Sequence, residues 1–287
     1  MKPFALADQA GARKSSRLGK AIFQVSFFRD SARTRLGKQF VSYPFHLTRP
    51  FTFDAQIPEF LTIYQQSSAG GLYRADQLSS SFTVGPGAAV HFTTQSATLV
   101  HDCQGEPARH QIEVDVQKGA FFAYSPDPLV LFPGAVLEVK LSIRVAEAAA
   151  IFAGETITNH DPCYESQKFD MLLMDTEVRG GENQLLCRER LRVSGARFLG
   201  APLLHSKWKI LGNYLFIGDH HRLPTRDTLE FSSSTDVALG VTALPNNGGW
   251  GIRFVASSAS AARSVTERLF EISVLAGLGK LPTKRRK

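Results

Sequence analysis

Residues of the types that bind metal ions are grouped at three places in the 287-residue sequence. The groups are His101-Asp102-Cys103 with His110 further on, His160-Asp161 with Cys163, and Asp219-His220-His221. Imidazole and thiolate groups suit nickel, copper or zinc, whereas carboxylates suit harder ions. Alternate residues of a strand share a face, so His101 and Cys103 could face one ion together if their segment is extended. His220 and His221 could do so only at a bend. Each group also fits ordinary polar residues of a loop or surface.

Signatures of catalysis are missing from the sequence. Gly279-Lys280 is followed by leucine, so it does not form a phosphate-binding P-loop, and no GxSxG, HExxH or GxGxxG motif occurs. Catalytic triads are defined by geometry, so missing motifs do not exclude an enzyme. The sequence therefore favours a non-catalytic protein. The alternative is a metal-dependent hydrolase on a β scaffold that uses the His101/Cys103 or the His220/His221 region.

Positive charge is concentrated at the two ends of the chain, which has a formal net charge of +7. The basic residues at these ends are Lys2, Arg13, Lys14, Arg17 and Lys20, then Lys280, Lys284, Arg285, Arg286 and Lys287. We interpret residues 1–20 as a flexible basic segment and residues 280–287 as a basic tail, both solvated. A module that binds nucleic acid through these tails is a further alternative, but the charge between them is nearly balanced, so no nucleic-acid partner is predicted.

Cysteine content and hydropathy indicate where the protein works. Cys103, Cys163 and Cys187 are odd in number and have no CxxC spacing, which fits a reducing compartment better than a disulfide framework. The first residues lack the apolar core of a signal peptide, and no run of 18 apolar residues occurs. We expect a cytoplasmic protein with no membrane partner.

Alternation of apolar and polar residues dominates the pattern that must position these groups. It is clearest from Leu137 to Val145, where every second residue is aliphatic, and it recurs at Ala21–Phe27 and Gln111–Gln117. Two further strands flank Gly180-Gly181 and predict a hairpin. One helix is predicted at about 258–276, because Ser257-Ser258 can cap its start and glycines follow its end. The simplest interpretation is one β domain over residues 21–279 that includes this helix.

Several segments carry short motifs in a fixed order. Gly70–Asp76 has a double glycine followed by an aspartate, and Val84–Ala97 has a strand followed by Thr-Thr-Gln. Phe122–Pro128 contains Tyr-x-Pro-x-Pro, and Ile151–Glu155 ends in a Gly-Glu pair. Gly240–Pro245 and Ile252–Val255 precede the predicted helix. Taken in order, these segments resemble the UreD (also called UreH) family of urease accessory proteins.

The resemblance implies a fold and a role. The fold would be mainly β, a single domain of stacked, twisted, β-helix-like sheets with helical elements near the C-terminus. The protein would be a non-catalytic scaffold that binds apo-urease and UreF, with the GTPase UreG held through UreF. It would assist nickel delivery to the urease active site. Nickel would be in transit, with no tightly bound cofactor, because an ion route needs weak and exchangeable ligands.

Site residues follow from the same resemblance and from residue type. The candidates for a polar transfer path are Asp76, Thr93, Thr94, Gln95, Tyr124 and Glu155. The candidates for special backbone geometry are Gly70, Gly71, Gly85, Gly87, Pro126, Pro128 and Gly154. The candidates for partner contact, near the C-terminal helix, are Arg253, Arg263, Arg268, Leu269 and Ile272. His101, Cys103 and His110 remain weak candidates for binding a metal.

Three positions depart from the family pattern. Ala75 stands where a glycine usually precedes the aspartate, Asn159-His160 replaces a Gly-Arg stretch, and Ser273 lies near a common arginine position. The first two affect a local polar network, and the third affects a contact of the helix.

Overall fold

Alternating hydropathy makes strands the main element of this chain, as a computed structural model shows. The structure describes residues 20–163, 165–200, 207–231 and 234–284. The strands are β1 (Ala21–Asp30), β2 (Arg33–Val41), β3 (Phe45–Leu47), β4 (Phe60–Ser67), β5 (Gln77–Val84), β6 (Ala89–Thr94), β7 (Thr98–Val100), β8 (Ala108–Val116), β9 (Phe121–Tyr124), β10 (Leu129–Leu131), β11 (Val136–Val145), β12 (Ala150–Asn159), β13 (Met171–Arg179), β14 (Leu185–Val193), β15 (Ile210–Gly218), β16 (Val237–Ala243) and β17 (Gly249–Ala256). The helices are α1 (Gly195–Gly200), α2 (Arg226–Leu229) and α3 (Ala259–Leu278), with short 3-10 turns at His220–Arg222 and Pro245–Asn247.

The chain winds between two sheets in a solenoid-like path. From β4 to β13 the long strands lie alternately in one sheet and the other. The first sheet has the order β14-β13-β11-β8-β5-β1-β2, and the second has the order β16-β17-β15-β12-β9-β6-β4-β3, with β10 and β7 beside β12. Strands of successive coils pair in parallel, whereas β2, β14, β15 and β17 add antiparallel strands at the ends. The predicted mainly β, stacked-sheet fold is confirmed.

Two apolar cores follow from the two faces of the second sheet. One face packs against the first sheet and contributes residues such as Phe92, Phe122 and Ile157. The opposite face contributes Phe121, Phe152 and other residues to a core beneath α3. Successive side chains of a strand point to opposite faces, so each strand of this sheet serves both cores. The second sheet thus separates the two cores, and different residues of each strand contribute to each of them.

Helix α3 confirms the predicted C-terminal helix. Its start is capped by Ser258, whose Oγ accepts a hydrogen bond from the Ala261 N–H, and it ends at Gly279 in the left-handed conformation (φ 76°). The helix extends past the predicted end at residue 276. Gly277 lies inside the helix. A Cβ at this position would lie 2.4 Å from the Phe121 ring, so the absence of a side chain lets the helix approach β9.

The predicted terminal segments are only partly described. Residues 1–19 and 285–287 lie outside the described residues, which leaves the predicted basic N-terminal segment as a prediction. Residues 280–284 of the predicted tail contact the body: Lys280 Nζ donates to the Gln56 carbonyl at 2.7 Å, and the Thr283 N–H donates to Asp54. Among the described residues, no helix has the length and hydropathy to cross a membrane.

Candidate functional site

A buried carboxylate lies between the two sheets. Glu155 of β12 shares a face of the strand with Ala153 and Ile157, which belong to the core between the sheets, and the residue is 8% exposed. The Tyr124 hydroxyl of β9 donates a hydrogen bond to Oε1 of Glu155 at 3.4 Å. Oε2 of Glu155 and Nε2 of Gln65 are buried atoms without a hydrogen-bond partner among the described residues. Such unpartnered buried atoms are rare in folded proteins, so each of these two positions calls for an explanation.

The protonation of Glu155 reflects this burial. Loss of solvent raises the pKa of Glu155 from 4.5 to about 7, and the hydrogen bond from Tyr124 opposes that rise only in part. The pKa of Tyr124 is raised well above 10 by burial and by the neighbouring carboxylate. Near neutral pH, therefore, Glu155 can change between a neutral acid and an anion, and the anion can bind a cation.

The next corner of the coil is closed by Thr94. Its Oγ1 accepts a hydrogen bond from the Asp127 N–H at 2.9 Å and donates to the Ser96 carbonyl at 3.0 Å. Pro126 and Pro128 lie in the same connection, between β9 and β10, and therefore outside the strands, where their missing N–H groups cost no ladder hydrogen bond. Thr94 thus fixes the loop that carries both prolines.

On the other face of the second sheet, a cavity of about 850 Å³ lies between the sheet and α3. Its walls include Thr93, Gln95 and both prolines from the coil, with Arg263 and Arg268 from the helix. Thr156, the residue after Glu155, lines it and bonds the Tyr214 hydroxyl at 2.9 Å. The predicted path residues are therefore divided: Tyr124 and Glu155 face the interior, whereas Thr93 and Gln95 face the cavity.

Asp76 lies elsewhere, in the turn before β5. Its Oδ2 accepts a hydrogen bond from the Tyr73 N–H at 2.8 Å, and its carbonyl accepts one from the Arg109 N–H. Burial raises the pKa of Asp76, and the bond from Tyr73 opposes the rise. Ala75 has a positive φ of 62°, which explains why a glycine suits that position. The observed contacts make Asp76 a turn-forming residue and do not join it to Glu155.

A model of the UreD urease accessory protein family matches residues 19–287. The chain belongs to the UreD family of urease accessory proteins. It is 37% identical over 265 residues to urease accessory protein UreD 1 of Methylorubrum populi, covering 91% of this chain and 90% of the relative. It is 35% identical to UreD 1 of Methylorubrum extorquens over 263 residues, with 91% and 90% coverage. It is 36% identical to UreD 1 of a Bradyrhizobium species over 256 residues, with 89% and 90% coverage.

The candidate glycines of this UreD chain are required for different structural reasons. Gly71 has a φ of 148°, and a Cβ there would lie 2.6 Å from the Leu99 carbonyl oxygen. Gly87 also has a positive φ, of 64°. Gly70 and Gly85 do not have a positive φ, so a left-handed backbone does not explain a glycine at either position. Gly85 is required because a Cβ would lie 2.7 Å from the Phe27 carbonyl oxygen.

Gly154 serves the packing of the second sheet. A Cβ at this position would lie 2.4 Å from the Asn213 carbonyl oxygen and from the Tyr214 ring. The ring of Tyr214 therefore covers β12 directly, where it reaches Thr156. In the Gly-Glu pair, Gly154 thus allows the Tyr214 ring to approach one face of β12, and Glu155 places a buried carboxylate on the other face.

The weak metal candidates do not converge on one point. Cys103 is fully buried, and its Sγ donates to the carbonyls of His101 and Val136, at 3.3 Å each. His110 is hydrogen-bonded to Ser80 at 2.9 Å, and burial lowers its pKa to about 4. His101 stacks on Tyr73 with ring centroids 4.7 Å apart. His101 and Cys103 are thus each held in a different structural contact, and their binding of one ion stays a prediction.

Two of the predicted partner-contact residues are not accessible on the surface of the folded chain. Leu269 and Ile272 are 0% and 3% exposed and belong to the core beneath α3. Arg253 is bonded to Glu189 and to Asn213, and so joins β17 to β14. Arg263 and Arg268 remain on the surface, paired with Glu267 at 2.8 Å and Glu271 at 3.6 Å.

The other two departures from the family pattern have local roles. Ser273 is buried, and its Oγ donates to the Phe270 carbonyl at 2.7 Å within the same helix. Asn159 accepts a hydrogen bond from the Phe169 N–H at 3.4 Å, and the His160 ring lies edge-on against Phe132. Both positions therefore hold the chain together in place of the usual residues.

Sequence reasoning missed Gln65 and Arg222. Gln65 could have been found from the sequence, because its amide follows Leu61 and Ile63 on the apolar face of β4 and interrupts the alternation. The Arg222 guanidinium donates to the carbonyls of Gly119, Ala120, Ala148 and Gly277. It ties two coil turns to the end of α3, and no local pattern shows that role.

Proposed function

We propose that this UreD protein acts as a scaffold that binds apo-urease and UreF, with UreG held through UreF. In this role it assists nickel delivery to the urease active site and makes or breaks no covalent bond itself. The observation that carries the proposal is the buried Glu155, with one carboxylate oxygen unpartnered. Family membership supplies the connection to urease.

The chemistry of the interior suits transit better than storage. Glu155 and Tyr124 offer oxygen donors, and oxygen ligands hold a borderline ion such as nickel less firmly than thiolates or several imidazoles. Because the pKa of Glu155 is about 7, the carboxylate is present as an anion in part of the population near neutral pH. An ion that binds there can replace the proton, and it can leave when the proton returns.

The surface of α3 suits the second part of the proposal. Arg263 and Arg268 line the 850 Å³ cavity beside Glu267 and Glu271, and the exposed side chains of the helix carry charge of both signs. A surface of this kind favours a defined docking orientation. We assign the exposed face of α3 and the mouth of this cavity to UreF. Leu269 and Ile272 support this face from below.

The test is urease maturation in cells that carry Glu155→Gln. Glutamine keeps the shape and removes the anion, so the nickel content and activity of purified urease should fall at least tenfold. The matched control is Glu147→Gln, because Glu147 is a surface residue paired with Lys118 and 78% exposed. Both variants should still co-purify with UreF. Urease that matures fully with Glu155→Gln would refute the role of the carboxylate, and loss of UreF binding in that variant would refute the separation of the two sites.

A further inference from the structure

We propose that Asp219, His220 and His221 form a second, surface-exposed binding site for a divalent transition-metal ion. One ligand atom from each residue lies within 4.8 Å of the others, and no other group of three potential ligands meets this condition in the described ranges. Two imidazoles and a carboxylate suit nickel, copper or zinc. The site is distinct from Glu155, which lies between the sheets.

The local backbone brings the two histidines together. In a strand, neighbouring side chains point to opposite faces, so His220 and His221 could not share an ion there. The structure instead has a 3-10 turn at His220–Arg222, and the two ring centroids are 3.8 Å apart. The bend that the sequence left open is therefore present.

Asp219 makes this turn and also completes the ligand set. Its Oδ1 accepts a hydrogen bond from the His221 N–H at 2.9 Å and lies 3.6 Å from Nδ1 of His220. Ligand atoms at about 2.1 Å from one ion are no more than about 4.2 Å apart. The observed limit of 4.8 Å therefore requires only small torsions of the exposed imidazoles, since His220 is 81% exposed.

The turn is held rigidly on the body of the protein. The Asp219 N–H donates to the Ala149 carbonyl at 2.9 Å, and the Arg222 N–H donates to the Asp219 carbonyl at 2.8 Å. The guanidinium of Arg222 bonds the carbonyl groups of Gly119, Ala148 and Gly277 at 2.8 Å each. Because the backbone is already fixed, less conformational entropy is lost when a metal ion binds, which favours binding.

Two properties of the site favour rapid exchange. Three protein ligands leave coordination positions open to water or to a donor from another molecule. The positive charge of Arg222 follows directly after His221 and weakens the attraction of a cation. We therefore expect micromolar rather than nanomolar affinity, with the ion accessible from solvent.

The experiment is a nickel titration of the untagged full chain by isothermal calorimetry, in parallel with His220→Ala/His221→Ala. The double variant should bind nickel at least tenfold more weakly at this site, with one fewer ion bound at micromolar nickel. Asp219→Asn should have an intermediate effect, since asparagine can keep the turn but not the charge. The matched control is His46→Ala, because His46 is a single exposed histidine on β3. It should bind like the wild type.

Unchanged nickel binding by the double variant would overturn the proposal. A measurement on the wild type guards against a folding defect: substoichiometric nickel should broaden the NMR signals of the His220 and His221 rings before those of His46. Broadening of all histidine signals together would also overturn it. Neither result bears on Glu155, whose test is urease maturation, so the two proposals can fail separately.

Discussion

Replacement of Glu155 by glutamine should separate stability from function. Oε2 of this carboxylate is buried without a partner, and burial raises its pKa from 4.5 to about 7. A raised pKa means that the folded state holds the proton more tightly than the unfolded chain does. The contribution of Glu155 to the stability of the wild type should therefore fall as the pH rises from 4.5 to 7 and should level off above 7.

The size of this loss follows from the two pKa values. A difference between 4.5 and about 7 corresponds to about 3 kcal/mol of unfolding free energy. Glutamine does not titrate, so the stability of the Glu155→Gln variant should lack this pH-dependent loss. The unfolding free energy of Glu155→Gln, minus that of the wild type, should increase by about 3 kcal/mol between pH 4.5 and pH 7.5.

The assay is urea unfolding at matched pH values, followed by circular dichroism. Taking the difference between two proteins cancels the titration of all other groups. The variant that gains relative stability at pH 7.5 should be the same one that fails to deliver nickel, an outcome that simple misfolding cannot produce. A difference that stays constant from pH 4.5 to 7.5 would refute the assigned burial of the carboxylate.

Three further variants test the packing of the coils. Ala75→Gly should raise the melting temperature by about 2 °C, because it relieves a left-handed conformation that costs alanine about 1 kcal/mol net; Ala69→Gly, without a positive φ, should not raise it. Gly154→Ala should lower the unfolding free energy measured in urea by about 3 kcal/mol, since its Cβ would meet the Tyr214 ring at 2.4 Å. Arg222→Gln should lower it by about 3 kcal/mol by leaving carbonyl groups unpaired, and hydrogen exchange should become faster at the end of α3. Equal exchange rates there in variant and wild type would contradict the clamp.

The strands were predictable because the alternation from Leu137 to Val145 is a property of neighbouring residues. Helix α3 was predictable for the same reason, from the cap at Ser258 and the glycine at position 279. The hairpin of β13 and β14 was indicated by Gly180-Gly181 and is confirmed. The parallel register of β5, β8 and β11 could not be predicted, because it depends on which coils stack, and the sequence has no repeat of fixed period.

The candidate site shows the same division. The resemblance to UreD identified Glu155 and Tyr124, but their contact depends on the parallel pairing of β9 with β12. Gln65 comes from β4, three positions from β12 in the order of the second sheet, so only the fold places it on the same side of the sheet as Glu155. The arrangement of His220 and His221 depends on a single turn of 3-10 helix, and the alternation rule for strands misjudges such a turn.

The antiparallel strands at both ends of the first sheet limit how far the coils can grow. A stack of parallel coils presents an open backbone edge, which another chain can extend by pairing with it. Here β2 and β14 occupy the two edges. They carry Arg33, Arg35 and Lys38 on one side and Arg188, Arg190 and Arg192 on the other. Arg35 is paired with Asp30, and Arg188 and Arg190 are paired with Asp175. Charged side chains on edge strands still disfavour pairing with another copy, so this architecture resists fibre formation through its first sheet.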